Sequence, residues 1–251
     1  MMLGEDIELL DGLPIAFIKS LNALAVADIH LGYEGVMAKR GVLIPKVNFN
    51  KMTESISKAI AKTNASTLIV DGDIKNEFSK VDEEEFNELY DFIMFAKGKG
   101  IKPILIKGNH DNFVERYKEP FKLEVHRQQA RMGKYLFFHG EEMPEIGKAE
   151  RGVKTLIMGH EHPAIGIINA IGNRERLKCF LHGSYKGKSL LVLPALNYLA
   201  GGTEVNIVPY EELLSPIFSH VSIDKMHAIA IGYGSTIDFG EIRNLRRIAY
   251  E

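Results

Sequence analysis

The chain has a single cysteine, Cys179, among 251 residues. That excludes an internal disulfide and any thiolate-rich zinc site, and leaves imidazole, carboxylate and amide as the available metal-binding groups. Cys179 itself reads as a small buried apolar residue. An excess of either charge is also missing, since 31 Lys and Arg face 33 Asp and Glu for a formal net charge of -2. A general nucleic-acid coat draws its affinity from clustered cations, so this balance argues against that class while leaving room for a local basic patch. No apolar run is long enough to cross a bilayer. The opening residues, Met1-Met2-Leu3-Gly4-Glu5-Asp6, carry acids where a secretion signal has basic residues ahead of an apolar run, so a cytoplasmic protein with no membrane contact is expected. Repeats, low-complexity tracts and obvious linkers are absent as well. What is present is 45% apolar content, enough to bury a full core as one domain, with two domains also compatible with the length.

The apolar residues fall into short runs. Ile7 to Leu10 and Leu13 to Ile18, joined by Asp11-Gly12, predict a β-hairpin. Leu24 to Ala27, Thr67 to Val70, Pro103 to Ile106, Tyr135 to Phe138 and Thr155 to Met158 read as strands. Between them, Val47, Met52, Ile56 and Ile60 recur at helical spacing and predict a helix over 46–62. Asp82 with Glu85 forms a capping box, and Phe86, Leu89, Tyr90, Ile93 and Met94 form the apolar stripe of a second helix that ends near Gly98 and Gly100. Met52 and Met94 are expected in the core. Residues 35–45 read as irregular and basic, 114–119 as a short polar helix, and 140–153 as a loop. After Pro163, the runs at 165–170, 178–182 and 190–193 predict antiparallel strands of a second sheet. A further strand is expected over 227–233 and an amphipathic helix over 242–248, with Arg243, Arg246 and Arg247. Alternating strand and helix marks an α/β fold, in which ligands collect at the carboxyl ends of strands.

Chemistry-bearing residues sit at those ends: Asp28-Ile29-His30, Gly72-Asp73, Gly108-Asn109-His110-Asp111, His139-Gly140 and Gly159-His160-Glu161-His162. In an extended segment residues two apart point the same way, so His160 and His162 are expected to reach into one pocket. The recurrence of N and O ligands asks for metal. Two divalent ions need one shared carboxylate, for which Asp73 is the choice, with Asp28, His30 and His162 on one ion and Asn109, His139 and His160 on the other; spacing alone does not fix that pairing. Imidazole mixed with oxygen ligation suits manganese, iron, zinc or cobalt better than calcium or magnesium. A water shared by the ions would lose its proton near neutral pH and become a nucleophile.

In order and content these five blocks resemble the signature of the calcineurin-like metallophosphoesterases, and they cover residues 28 to 162. The resemblance implies a two-sheet β-sandwich flanked by helices in four layers, α-β-β-α, with residues 1–251 as one domain. It implies the ion assignment above, with Asp28, His30, Asp73, Asn109, His139, His160 and His162 as ligands. It also places His110 outside the metal shell, touching the phosphate and protonating the leaving oxygen. His30-Leu31-Gly32-Tyr33-Glu34, Gly72-Asp73-Ile74-Lys75 and Leu193-Pro194-Ala195-Leu196-Asn197 resemble a subgroup of small archaeal and bacterial phosphoesterases, some associated with DNA ligase and helicase genes. Many family members carry Asp or His three residues after the bridging Asp. Here that position is Asn76, an amide that adds no charge beside His110.

Each residue also has a plainer role open to it. Singly, His160 and His162 suit a surface turn, His139 a core histidine, and Asp28 and Asp73 turn formers; only their convergence favours metal. Asp71, Asp111 and Glu161 are as readily solvated as supporting. His126, His182, His220 and His227 carry no expected function. For Arg40, Lys46, Lys75, Arg127, Arg131, Lys134 and the terminal arginines, solvated surface charge is the better reading, and packing is for Tyr33. The expected function is hydrolysis of phosphodiesters of nucleic acids or nucleotides by a metal-bridged hydroxide, with Asp73 and His110 as the catalytic pair. The competing readings are a phosphomonoesterase and a metal-containing module that binds nucleic acid or a partner without turnover.

Overall fold

The apolar runs of the N-terminal half become neighbouring strands of one sheet. In the computed structural model, which describes residues 1–77, 83–168 and 171–249, its strands lie in sequence order. They are β1 (Met2–Leu3), β2 (Ile7–Leu9), β3 (Ala16–Ile18), β4 (Ala23–Val26), β5 (Thr67–Asp71), β6 (Lys102–Ile106) and β7 (Glu124–His126). The first four pair antiparallel and the last four parallel. Strands β4, β5 and β6 are buried on both faces, which is why they read as unbroken apolar runs.

The second sheet holds β8 (Gln129–Met132), β9 (Tyr135–Phe138), β10 (Thr155–Met158), β11 (Pro163–Ile168), β12 (Arg174–Tyr185), β13 (Lys188–Val192), β14 (Thr203–Glu204), β15 (His227–Gly232) and β16 (Ser235–Glu241). β9, β10 and β13 run parallel, and β11, β12 and β13 antiparallel. An apolar layer containing Ala25, Ala27, Ile69, Phe137, Ile157, Phe180 and Leu191 joins the inner faces. Helices α2 (Asn48–Thr63) and α3 (Glu83–Gly98) pack on the outside of the first sheet through Met52, Ile56, Leu89, Phe92 and Ile93. The outside of the second is covered by 3₁₀ turns carrying Ile217, Phe218 and Ile223 and by Ile242 of α5 (Ile242–Ala249). Two mixed sheets with flanking helices form the expected α/β sandwich. No helix among the described residues is long and apolar enough to cross a membrane.

Several expectations need correction. Residues 33–39 form a helix, α1 (Tyr33–Lys39), where an irregular segment is expected; Gly32 at its start and Gly35 within it mask the signal. In α3 the stripe is rotated from the one read: Leu89 and Ile93 are buried, but Met94 is 44% exposed. Phe86 and Tyr90 lie at the rim of that face, where their rings meet Tyr117 and Phe121 near the short helix α4 (Lys118–Phe121). The segment at 114–119 divides into a 3₁₀ turn and α4. Asp82, the proposed partner in the capping box, and the end of the 165–170 run lie outside the described residues. Edge strands β1, β7, β8, β14 and β16 are additional to those expected, being short or partly exposed.

Candidate metal centre

Every block opens from the end of a strand at one edge of the sandwich. Asp28 and His30 follow β4, Asp73 follows β5, Asn109 and His110 follow β6, His139 follows β9, and His160 and His162 lie between β10 and β11. Asp28, His30, Asp73, His160 and His162 all have left-handed backbone, with φ from 47° to 67°. Side chains other than Asn, Asp or His rarely tolerate this region, and such strain collects at functional sites. The strand-alternation argument for His160 and His162 therefore fails: the loop is not extended. Close approach explains the glycines, since a Cβ at Gly72 would lie 1.9 Å from the His139 ring and one at Gly108 2.3 Å from the Asp73 carboxylate.

The blocks converge. Asp28, His30 and His162 form one group of ligand atoms and Asp73, His139 and His160 another; His30, Asp73 and His110 lie together as well. His160 and His162 thus serve different groups. The Nε2 atoms of His30 and His162 are 3.2 Å apart, and Nδ1 of His160 is 3.3 Å from Nε2 of His139. Asp73 Oδ2 lies 3.2 Å from His139 Nε2 and 3.9 Å from His30 Nε2, while Asp28 Oδ1 lies 3.2 Å from His162 Nε2. Asn109 keeps its Oδ1 buried without a hydrogen-bond partner.

Facing imidazole nitrogens beside buried carboxylates make a donor set that fits divalent cations. Burial pushes His30 and His160 down to about 4, which leaves them neutral with lone pairs to offer. Burial pulls His139 the same way, but Asp73 and Asp28 override it and raise it above the usual histidine range. For Asp73, burial is outweighed by His139, His30 and His110, which hold the carboxyl below its ordinary range.

Buried polar groups fix the loops that carry these residues. Asp111 accepts from the backbone N–H of Gly108 at 2.9 Å and Lys75 at 3.1 Å, and burial beside Asp73 pushes it up to about 7. Lys75 is not surface charge: at 1% exposure it pairs with Glu85, itself 2% exposed, at 3.0 Å. Glu85 also accepts from the N–H of Asn76 at 2.9 Å and of Glu77 at 2.8 Å. The Asn76 carbonyl so held accepts from His110 Nδ1 at 2.7 Å, so His110 is steadied by backbone, whatever the side chain at 76. Glu161 is buried and accepts from the N–H of Leu214 and Ser215, bracing the loop between the two histidines. Asp71 is buried too, and its carbonyl accepts from His139 Nδ1 at 3.0 Å. The solvated reading of Asp71, Asp111 and Glu161 is thereby overturned.

Asn197 and Lys178 are supports that the sequence marks only faintly. Asn197 donates through Nδ2 to the carbonyls of Ile29 at 3.0 Å and His30 at 3.3 Å, and its N–H donates to the Asp28 carbonyl. Lys178 donates to the carbonyls of Ala195 and Asn197, and burial draws its ammonium down to about 7 against the pull of Asp28. Resemblance points to Leu193–Asn197 without giving Asn197 a role, and Lys178 sits in a plain strand pattern. His126, His182 and His227 bond to Glu124, Ser189 and Asp238, and with His220 they stand outside the ligand groups found among the described residues.

Comparison with known proteins agrees with this geometry. Residues 21–142 match the model of the calcineurin-like phosphoesterase family, Metallophos. These residues, a little under half of the chain, are thus similar to that family. The crystal structure of the nuclease MPE from Pseudomonas putida shares the fold, with a TM-score of 0.63 at 20% identity, over 92% of this chain and 93% of that one. YfcE, a phosphoesterase from E. coli, aligns with a TM-score of 0.42 at 16% identity, over 86% of this chain and 96% of that one. No match was found among curated proteins.

Proposed function

We propose that the chain is a phosphodiesterase that holds two divalent ions, manganese before iron, zinc or cobalt, and acts on nucleic acids or nucleotides. The observation that carries this reading is the Asp73 carboxylate, which stands between His139 and His30 and so between the two ligand groups. Asp28, His30 and His162 would hold one ion, Asn109, His139 and His160 the other, and Asp73 both. Bound ions would supply Lewis acidity toward phosphate oxygens and a water deprotonated near neutral pH.

His110 does the remaining work in this reading. Its Nδ1–H donates to the Asn76 carbonyl, and its Nε2 lies 3.8 Å from Asp73 on a side chain 21% exposed, beside the ligand groups where substrate would sit. From there Nε2–H can pass a proton to the leaving oxygen as its bond to phosphorus breaks. A diester is favoured over a small monoester because the ligands stand at an open strand edge, with His110 and His162 reaching solvent.

The test measures rates on bis-p-nitrophenyl and p-nitrophenyl phosphate with manganese present, alongside metal content by mass spectrometry. Faster diester cleavage with two ions per chain is expected. Faster monoester cleavage would make it a phosphomonoesterase, and metal retained without turnover a binding module.

A further inference from the structure

Strand β12 runs past the sandwich. Along it Phe180 packs between the sheets with Ala25, Ala27 and Leu193, while Cys179 and Leu181 turn to the outer core. Even-numbered residues therefore face the first sheet. Toward the start of the strand the same face carries Lys178, Arg176 and Arg174. The apolar face becomes cationic where the first sheet ends. Lys178 marks the boundary, since it donates to the carbonyls of Ala195, which bridges to Ala27, and of Asn197, whose N–H donates to the Asp28 carbonyl. On the adjacent strand, Ala164, two residues beyond His162, pairs with Lys178, Gly166 with Arg176 and Ile168 with Arg174. The row thus begins at the Asp28, His30 and His162 group and leads outward, one cation about every 6.6 Å.

We propose that this row is the path of a single-stranded polynucleotide, with the phosphate to be cleaved at the ligand groups and the next phosphates on Arg176 and Arg174. The proposal rests on the phosphodiesterase reading and names its substrate. The spacing is close to that of neighbouring phosphates along an extended strand. Arg174 and Arg176 side chains are 58% and 51% exposed, so a ligand can reach them. Glu204 pre-orients both. Its carboxylate accepts from Nε and Nη2 of Arg174 at 3.2 and 2.6 Å and from Nη2 of Arg176 at 3.1 Å, a minority of the five N–H donors on each guanidinium. Fixing the forks in advance lowers the ordering cost when phosphate arrives. Tyr198, 38% exposed with its ring 5.6 Å from Lys178 Nζ, offers a face on which a base can stack.

The experiment follows fluorescence anisotropy of a labelled oligothymidylate with phosphorothioate linkages, on manganese-loaded protein across a salt series. For Arg174→Gln/Arg176→Gln, Kd should rise roughly tenfold and the slope of log K against log salt should fall in magnitude by about 1.4. Glu204→Gln keeps a side-chain oxygen to orient the forks but removes the negative charge that competes with phosphate, so it should tighten binding. Thermal melting checks that each variant is folded; if the double variant is not, Glu204→Gln decides alone. Unchanged affinity and slope in the folded double variant, no tightening in Glu204→Gln, or tighter binding of duplex than of single strand would overturn the path. Hydrolysis of bis-p-nitrophenyl phosphate by the unaltered protein separates the two readings. Arginine-dependent binding without hydrolysis leaves the path and removes the phosphodiesterase, whereas hydrolysis with arginine-independent binding does the reverse.

Discussion

The two sheets contribute differently to the candidate centre. The first supplies every oxygen donor, Asp28, Asp73 and Asn109, together with His30, whereas the second supplies imidazoles alone, His139, His160 and His162. Neither ligand group belongs to one sheet: Asp28 and His30 meet His162, and Asp73 meets His139 and His160. The groups therefore come together only when the sheets are docked, and a metal bound there and the docking would stabilise one another. In the proposed reading, a cation between the sheets would act as a cross-link at their open edge, opposing the repulsion of facing lone pairs.

The strongest challenge to this division of labour is Asp73→Asn, because Asp73 touches both groups. It should lose bound metal and turnover to below detection, measured by mass spectrometry and diester hydrolysis; full metal content would show that the groups are independent. His110→Ala comes next, with turnover reduced roughly 10²–10⁴-fold and metal content unchanged. Equal turnover would take His110 out of the reaction. Chelation should lower stability by about 3 kcal/mol for each ion lost, relative to metal at a hundredfold excess over Kd, read as a fall in Tm of roughly 6–12 °C per ion. A Tm indifferent to chelator would mean that docking owes nothing to metal.

Asn197→Ala removes the side chain that donates to the Ile29 and His30 carbonyls on the first sheet's side and accepts from the N–H of Leu199 and Ala200 in its own loop. It leaves the carbonyls of Ile29 and His30 without their side-chain donor, at a cost of roughly 1–3 kcal/mol, and it should weaken one metal equivalent more than the other in a titration. Equal weakening of both would argue against two separable groups. The smallest effect belongs to the opposite edge, where burial acts on Asp6 but Ser20, Tyr135 and Lys134 hold its carboxyl below the ordinary range. A depressed folded pKa stabilises above the unfolded value of about 4 and is lost as pH falls below it. Asp6→Asn should therefore lower Tm at neutral pH by a few degrees, with the gap to the unaltered protein closing below about pH 4. A constant gap would exclude this linkage.

The comparison also explains what could be read from letters. Strands β4, β5, β6, β9 and β10 are legible because each apolar run ends in an Asp, Asn or His that cannot stay in the core unpaired. The ligand loops are legible for the same reason. How His160 and His162 divide between groups is not, because left-handed backbone at both overrides the alternation of an extended chain. Lys75 looks like surface charge because nothing local announces Glu85, ten residues on, as its buried partner. The stripe of α3 misleads because Phe86, Tyr90 and Met94 obey helical spacing yet lie at the rim, where neighbouring aromatics cover only part of them. Periodicity reports that a helix has an apolar side; what covers each residue depends on distant chain.

The left-handed backbone at the ligand positions restricts which substitutions the site can sample. At Asp28 or Asp73, glutamate keeps the charge but meets both a longer reach and a conformation that favours Asn, Asp and Gly. A saturation library at these codons should therefore recover folded protein chiefly with Asn or Gly, so the neutral variants that survive are metal-poor scaffolds, and drift toward a different metal has to begin elsewhere on the rim.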